Sequence, residues 1–181
     1  MTNDPIIATR AWLETVVIGL ELCPFAAAPF RKNAIRYTLS AETDTAQCLE
    51  SLVNECRLLD TDAKIDTTLL IYPNAFATFD DYLDFLALAE TLLSDQGYEG
   101  IYQLASFHPD YCFAGCNHDD PANYTNRSPY PMLHLLREDS IAAVLKRYPD
   151  PDNIPQRNIA LTRKLGLSKM ASLLALSKSR D

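Results

Sequence analysis

Glycine is scarce in this chain, five residues in 181, and neither of the glycine-built phosphate loops, GxGxxG or the P-loop, is present. HExxH and GxSxG are missing as well. Dinucleotide, P-loop nucleotide, zincin and α/β-hydrolase readings therefore lack the residues that define them. Long apolar runs are also absent, none approaching the roughly 20 residues that span a bilayer. The opening MTNDPIIATRAW has acidic and polar residues where an export signal would carry a basic end and an apolar run. Five cysteines, an odd number at scattered spacings, read as reduced thiols of a cytoplasmic protein.

Positive charge is in deficit. A net charge of −8 argues against nucleic acid, whose phosphates are gripped by clustered Lys and Arg. The charge is uneven, with 13 acidic and 2 basic residues from Thr38 to Ile101 against 8 basic and 3 acidic from Lys146 to Asp181. This predicts that the tail packs on the acidic half, or on that of a second subunit in a homo-oligomer.

What is present is enough apolar sequence for one globular domain, residues 1–181, with 48% hydrophobic and 22% charged residues and no need of a covalent staple. Asn3 or Asp4 can cap a first helix opened by Pro5, on which Ile6, Leu13, Val16, Val17 and Leu20 recur at helical spacing until Gly19 and Pro24 stop it. Ala34 to Leu39 reads as a first strand, and a helix follows from Asp44 with Cys56 on its apolar face. Thr67 to Tyr72 is a second strand, and Thr78 with Asp81 has capping-box spacing before a third helix that Gly97 ends. Ile101 to Phe107 reads as a third strand, apolar on both faces as a central strand should be, and Pro131 to Arg137 as a fourth. Two or three further helices close the chain, one capped by Asn153 with Gln156 and one opened by Ser168 after Gly166. The order predicts an α/β fold: a mixed, mainly parallel sheet of about four strands covered by helices, with a ferredoxin-like α+β arrangement as the alternative.

The stretch IYQLASFHPDYCFAGCNHDDPANYTNRSPYPMLHLLRE, residues 101 to 138, holds all three histidines and two of the cysteines. It is two strands joined by a loop too long to be idle, so the functional site is expected there. Ligands of such sheets settle beyond the carboxyl ends of the strands. Asn74 and His108 follow strand ends, and an antiparallel fourth strand would bring Asn126, Arg127, Ser128 and Tyr130 to the same edge, with Arg137 at the other.

His108 precedes Pro109 and Asp110, an imidazole and a carboxylate two residues apart. The pair suits proton transfer, with Asp110 assisting; the competing role is a turn in which His108 bonds to backbone. Arg127 can grip a carboxylate or phosphate with two parallel bonds, helped by Asn126 and Ser128, or else tie the loop to Asp119 or Asp120. His134 shares a strand face with Met132 and Leu136 and reads as a core histidine. His108, Cys112, Cys116 and His118 lie within eleven residues, but their spacing matches no recognised zinc pattern, and no metal is expected. Cys23, just past the first helix, meets the negative end of that helix's dipole, so its reactivity requires a cation such as Arg31, Lys32 or a folded-in histidine.

WLETVVIGLELCPFA, QLASFHPDYCFAG and DDPANYTNRSPYPMLHLLRE resemble the bacterial family filed as domain of unknown function 1415, across essentially the whole chain. The resembling blocks include Cys23, Pro24 and Phe25, His108 to Asp110, and Asn126 to Arg137. The chain departs from the family pattern at Cys112 and Cys116, which weighs further against zinc. The resemblance implies no reaction and no cofactor.

Three functions stay open: an enzyme acting on a small anionic metabolite, with Arg127, Asn126, Ser128 and Asn74 binding it and His108 with Asp110 moving the proton; a Cys23 thiol or redox enzyme; and a non-catalytic interaction protein forming an oligomer.

Overall fold

The structure, a computed structural model, describes residues 4–179. The first helix, α1 (Pro5–Trp12), is capped by Asp4, whose carboxylate accepts the Ile6 N–H at 2.8 Å. Asn3, the other cap candidate, lies outside the described residues. Beyond Trp12 the helix widens into a π-helical turn, Leu13–Ile18, and ends at Gly19. A Cβ on Gly19 would stand 2.5 Å from the Thr15 carbonyl oxygen, so only glycine fits there.

A short α2 (Ala27–Arg31) leads to β1 (Ile35–Leu39), α3 (Thr45–Thr61), β2 (Thr67–Ile71), α4 (Phe79–Asp95) and β3 (Tyr102–Phe107). Asp44 caps α3 by accepting from Ala46 and Gln47, and Thr78 caps α4 by accepting from Asp81, as the Thr78–Asp81 spacing predicts. After the long loop come β4 (Met132–Arg137), α5 (Glu138–Leu145), α6 (Ile154–Leu165) and α7 (Leu167–Lys178). Asn153 and Ser168 do not cap by side chain: a 3₁₀ turn at Pro151–Asn153 runs straight into α6, and Gly166, at φ +82°, precedes α7 without a side-chain cap.

The sheet order is β1-β2-β4-β3. β1 and β2 pair in parallel, whereas β4 runs antiparallel to both its neighbours. Three strands thus share one direction and β4 is inserted against them, which makes the sheet mixed. β3, expected at the centre, lies at an edge because β4 takes the place beside β2. The ferredoxin-like alternative would leave a strand between β1 and β2, but here they are direct neighbours.

Side chains alternate across the strands, so each face of the sheet has its own core. Leu70, Tyr72, Leu133 and Leu135 point to α3 and α4, where Leu52, Cys56, Tyr82 and Phe85 are fully buried. Leu69, Ile71 and Met132 point the other way, to Trp12, Val16, Val17 and Met170. Each fully buried large apolar chain contributes roughly 1.5–3 kcal/mol relative to exposure. The basic tail belongs to this second face: α7 packs on α1, and α6 on the 3₁₀ turn Pro121–Thr125. Among the described residues the tail's helices thus lie on the face of the sheet away from the acidic α3 and α4, and Arg163 is tied to Asp120 at 2.7 Å. Among the described residues no helix is long and apolar enough to cross a membrane.

Candidate functional site

Met132 at the start of β4 is opposite Ile71 on one side and Phe107 on the other, so the ends of β2 and β3 and both ends of the long loop share one edge. Tyr82 from α4 fastens that edge. Its hydroxyl donates to the Met132 carbonyl at 2.7 Å and accepts the Phe107 N–H at 3.1 Å.

His108 begins the loop, and the surroundings of its ring fix its role. It is 1% exposed, packed against Phe79 and Tyr82. Nδ1 accepts the Asp110 backbone N–H at 3.0 Å, so the proton sits on Nε2, which donates to the Phe76 carbonyl at 2.9 Å. Burial lowers its pKa, more than the Phe76 carbonyl and the Asp110 charge raise it. This geometry corrects the acid–base expectation: both nitrogens are committed to backbone, and what Asp110 supplies is its N–H while its own side chain is exposed.

Arg127 is also turned inward. It is 5% exposed, its Nε donates to the Tyr111 carbonyl at 3.0 Å and its Nη2 to the His118 carbonyl at 2.8 Å, and its guanidinium lies 4.8 Å from the centre of the Tyr124 ring. The fork that could hold an anion holds two loop carbonyls instead. Ser128 is fully buried and bonds to the Tyr130 carbonyl, and Asn74 is exposed, donating to the Ala41 carbonyl between two strand-end loops. Asn123, which no sequence signal picked out, organises the loop interior. Fully buried, it accepts the Phe113 N–H and donates to the carbonyls of Asn117 and His118.

Asn126 and Cys23 do meet, on the wall of a cavity of about 350 Å³. Leu22 and Cys23 come from the turn after α1, Phe107 from β3, Phe113 and Asn126 from the loop, and Ile154 and Asn158 from α6. The lining is mostly apolar and includes no Asp, Glu, Lys, Arg or His. Asn126 is held in place, its amide donating to the Ser106 carbonyl at 3.1 Å. Asn158 donates to the Leu22 carbonyl at 2.6 Å, and Arg157 donates to the carbonyl of Glu21, a residue at φ +54°. These bonds fasten α6 to the turn that carries the thiol.

Cys23 stands between two opposing influences. It follows the end of the first helix, but it also starts the next turn, in which Pro24 leads toward α2 and the N–H groups of Phe25 and Ala26 point at the sulfur. Burial pushes the thiol's pKa up, and those two N–H groups pull it down by less. Neither Arg31 nor Lys32 reaches the cavity wall. The thiol is therefore neutral at neutral pH, a weak donor that becomes a nucleophile on losing its proton.

The other residues lie apart from the cavity. The Nε2 of His134 is 2.7 Å from the Thr67 hydroxyl, which itself donates to the Leu135 carbonyl, so the ring donates and sits as a core histidine. Arg137 is at the opposite edge, on the carbonyls of Leu59 and Ile65. Among the described residues no three His, Cys, Asp or Glu side chains cluster as a metal site would require.

The model of the family described as "Protein of unknown function (DUF1415)" matches residues 4–172. No curated protein and no solved structure matches the chain. With nearly its whole length covered by that match, the chain belongs to the DUF1415 family.

Proposed function

We propose that this protein binds a small, neutral, largely apolar molecule in the cavity at the carboxyl edge of its sheet, with the neutral thiol of Cys23 on the cavity wall. The observation that carries this reading is the shared wall: a thiol and an anchored amide, 103 residues apart in sequence (126 − 23), face one concave apolar space. Size and lining suit a compact ligand, since small-molecule sites are largely apolar clefts of about 300–1,000 Å³ with a few placed polar groups. Asn126 and Asn158 supply those groups, and the neutral Cys23 thiol adds a weak donor. A neutral ligand is favoured over an anion because the cavity wall carries no cation, while Arg127 and His108 are used up in holding the loop.

Two alkylating reagents of similar size separate the readings. The protein is treated with neutral iodoacetamide and anionic iodoacetate, and Cys23 modification is followed by peptide mass. The proposal expects Cys23 to favour iodoacetamide over iodoacetate by at least about tenfold more than a free small thiol does, because a carboxylate loses its hydration on entering. Preference for iodoacetate would establish an anion site, and a Cys23 inert to both reagents in the folded protein would show that the cavity admits neither.

A further inference from the structure

We infer that Cys112 and Cys116 form a reversible disulfide that responds to low-molecular-weight disulfides. Cys112 immediately precedes a closed turn that Cys116 ends. The Cys116 N–H donates to the Phe113 carbonyl at 3.0 Å, and Gly115 takes φ +77°, which the turn requires. The Cys112 sulfur already lies 3.5 Å from the carbonyl oxygen of Cys116, so it touches the backbone of the residue it would bond. The turn holds Cys116 against Phe113, the neighbour of Cys112, so the two cysteines are close in space, as a disulfide requires. Both cysteines are partly exposed. Cys48 and Cys56, by contrast, are fully buried on the other side of the sheet.

The chemistry balances as thiol–disulfide exchange. The Cys116 thiolate attacks one sulfur of a small disulfide and expels one small thiolate, leaving a mixed disulfide. The Cys112 thiolate then attacks the Cys116 sulfur and expels the second. Two protein thiols are oxidised to one disulfide, the small disulfide is reduced to two thiols, and the two protons lost from the protein go to the leaving thiolates.

Closing the bond draws the Cys112 sulfur away from the Asn123 amide, 3.8 Å distant, which also binds the Phe113 N–H through its oxygen. Phe113 stands on the cavity wall. The pairing of the two thiols is independent of the proposed ligand site; only its effect on Cys23 rests on that reading.

The test uses the full-length reduced protein, equilibrated across ratios of reduced to oxidised glutathione, quenched with acid, labelled with N-ethylmaleimide and mapped by peptide mass. Under oxidising ratios the peptide holding both cysteines should lose two hydrogens and both labels, and dithiothreitol should restore them. In Cys112→Ser, Cys116 should retain one glutathione. Full labelling at both positions throughout, a persistent mixed disulfide in the unaltered protein, or a bridge to Cys23 would each overturn the assignment. Iodoacetamide labelling of Cys23 should change at least threefold between the reduced and oxidised forms, and should not change in the Cys112→Ser, Cys116→Ser variant. Equal rates in the two forms would overturn the coupling and leave both the disulfide and the cavity standing.

Discussion

The indole N–H of Trp12 donates to the carbonyl oxygen of Arg127 at 3.0 Å, tying the first helix to a loop 115 residues further along. Trp12 is 1% exposed and is the chain's only tryptophan. The same Arg127 carries, through its side chain, the carbonyls of Tyr111 and His118. One residue thus links the N-terminal layer, the start of the loop and its middle, and its charge is spent on structure.

Replacing that side chain should therefore show in stability. Arg127→Met removes two hydrogen bonds from a charged donor, taking from the Tyr111 carbonyl its guanidinium partner and leaving the His118 carbonyl with Asn123 alone, a loss of about 3 kcal/mol. Arg127→Lys should recover part of it, since one ammonium cannot reproduce the fork. Urea unfolding followed by the fluorescence of Trp12 measures both. A loss below about 0.5 kcal/mol for Arg127→Met would mean that the guanidinium is free, as an anion clamp requires.

Tyr82→Phe deletes the hydroxyl that stands between Phe107 and Met132 in the last rung of the β3–β4 pairing. It should cost about 1–3 kcal/mol, because a buried N–H and a buried carbonyl lose their shared partner. Hydrogen exchange at the Phe107 amide should accelerate by more than at the Tyr102 amide, at the far end of the same strand. Equal acceleration at both ends would show that the hydroxyl does not act locally.

Acid should weaken the fold through its histidines. Burial takes the His134 pKa down to about 4 and lowers that of His108 as well. An unfolded imidazole binds its proton near 6.5, so protons favour the unfolded chain below that value. The stabilisation from His134 is complete above about pH 6.5 and is lost as pH falls through about 4. Urea midpoints measured from pH 7 to pH 4 should fall less steeply in His134→Gln than in the unaltered protein. Identical slopes would place His134 in contact with water.

Much of this fold was legible in the sequence because local rules wrote it. Asp4 and Thr78 cap the helices they precede, a helix starts at Asp44, and the β-branched and large apolar run from Thr67 to Tyr72 marks a strand. The position of β3 was not legible, since strand order depends on where β4 inserts, and an apolar pattern reads the same at an edge covered by a loop. For the candidate site, chain position could be read from the sequence but side-chain direction could not. His108 and Arg127 stand at the expected edge, but whether a side chain faces a cavity or a backbone carbonyl is decided by tertiary contacts that spacing does not encode. Asn123 and Asn158 gave no signal at all, because a buried amide is identified only by the carbonyls that surround it. Cys23 was placed correctly after its helix, while the two N–H groups beyond Pro24, which oppose that helix's field, belong to a turn too short to carry a pattern.

The most direct measurement is the rate of Cys23 alkylation by iodoacetamide as a function of pH, in the unaltered protein and in Ile154→Trp, where an indole fills the cavity from α6. The account predicts a midpoint above the ordinary thiol value of ~8.5 and a rate reduced at least about tenfold by the filled cavity. A midpoint at or below that value, or a Cys23 that reacts equally fast with the tryptophan in place, would contradict it.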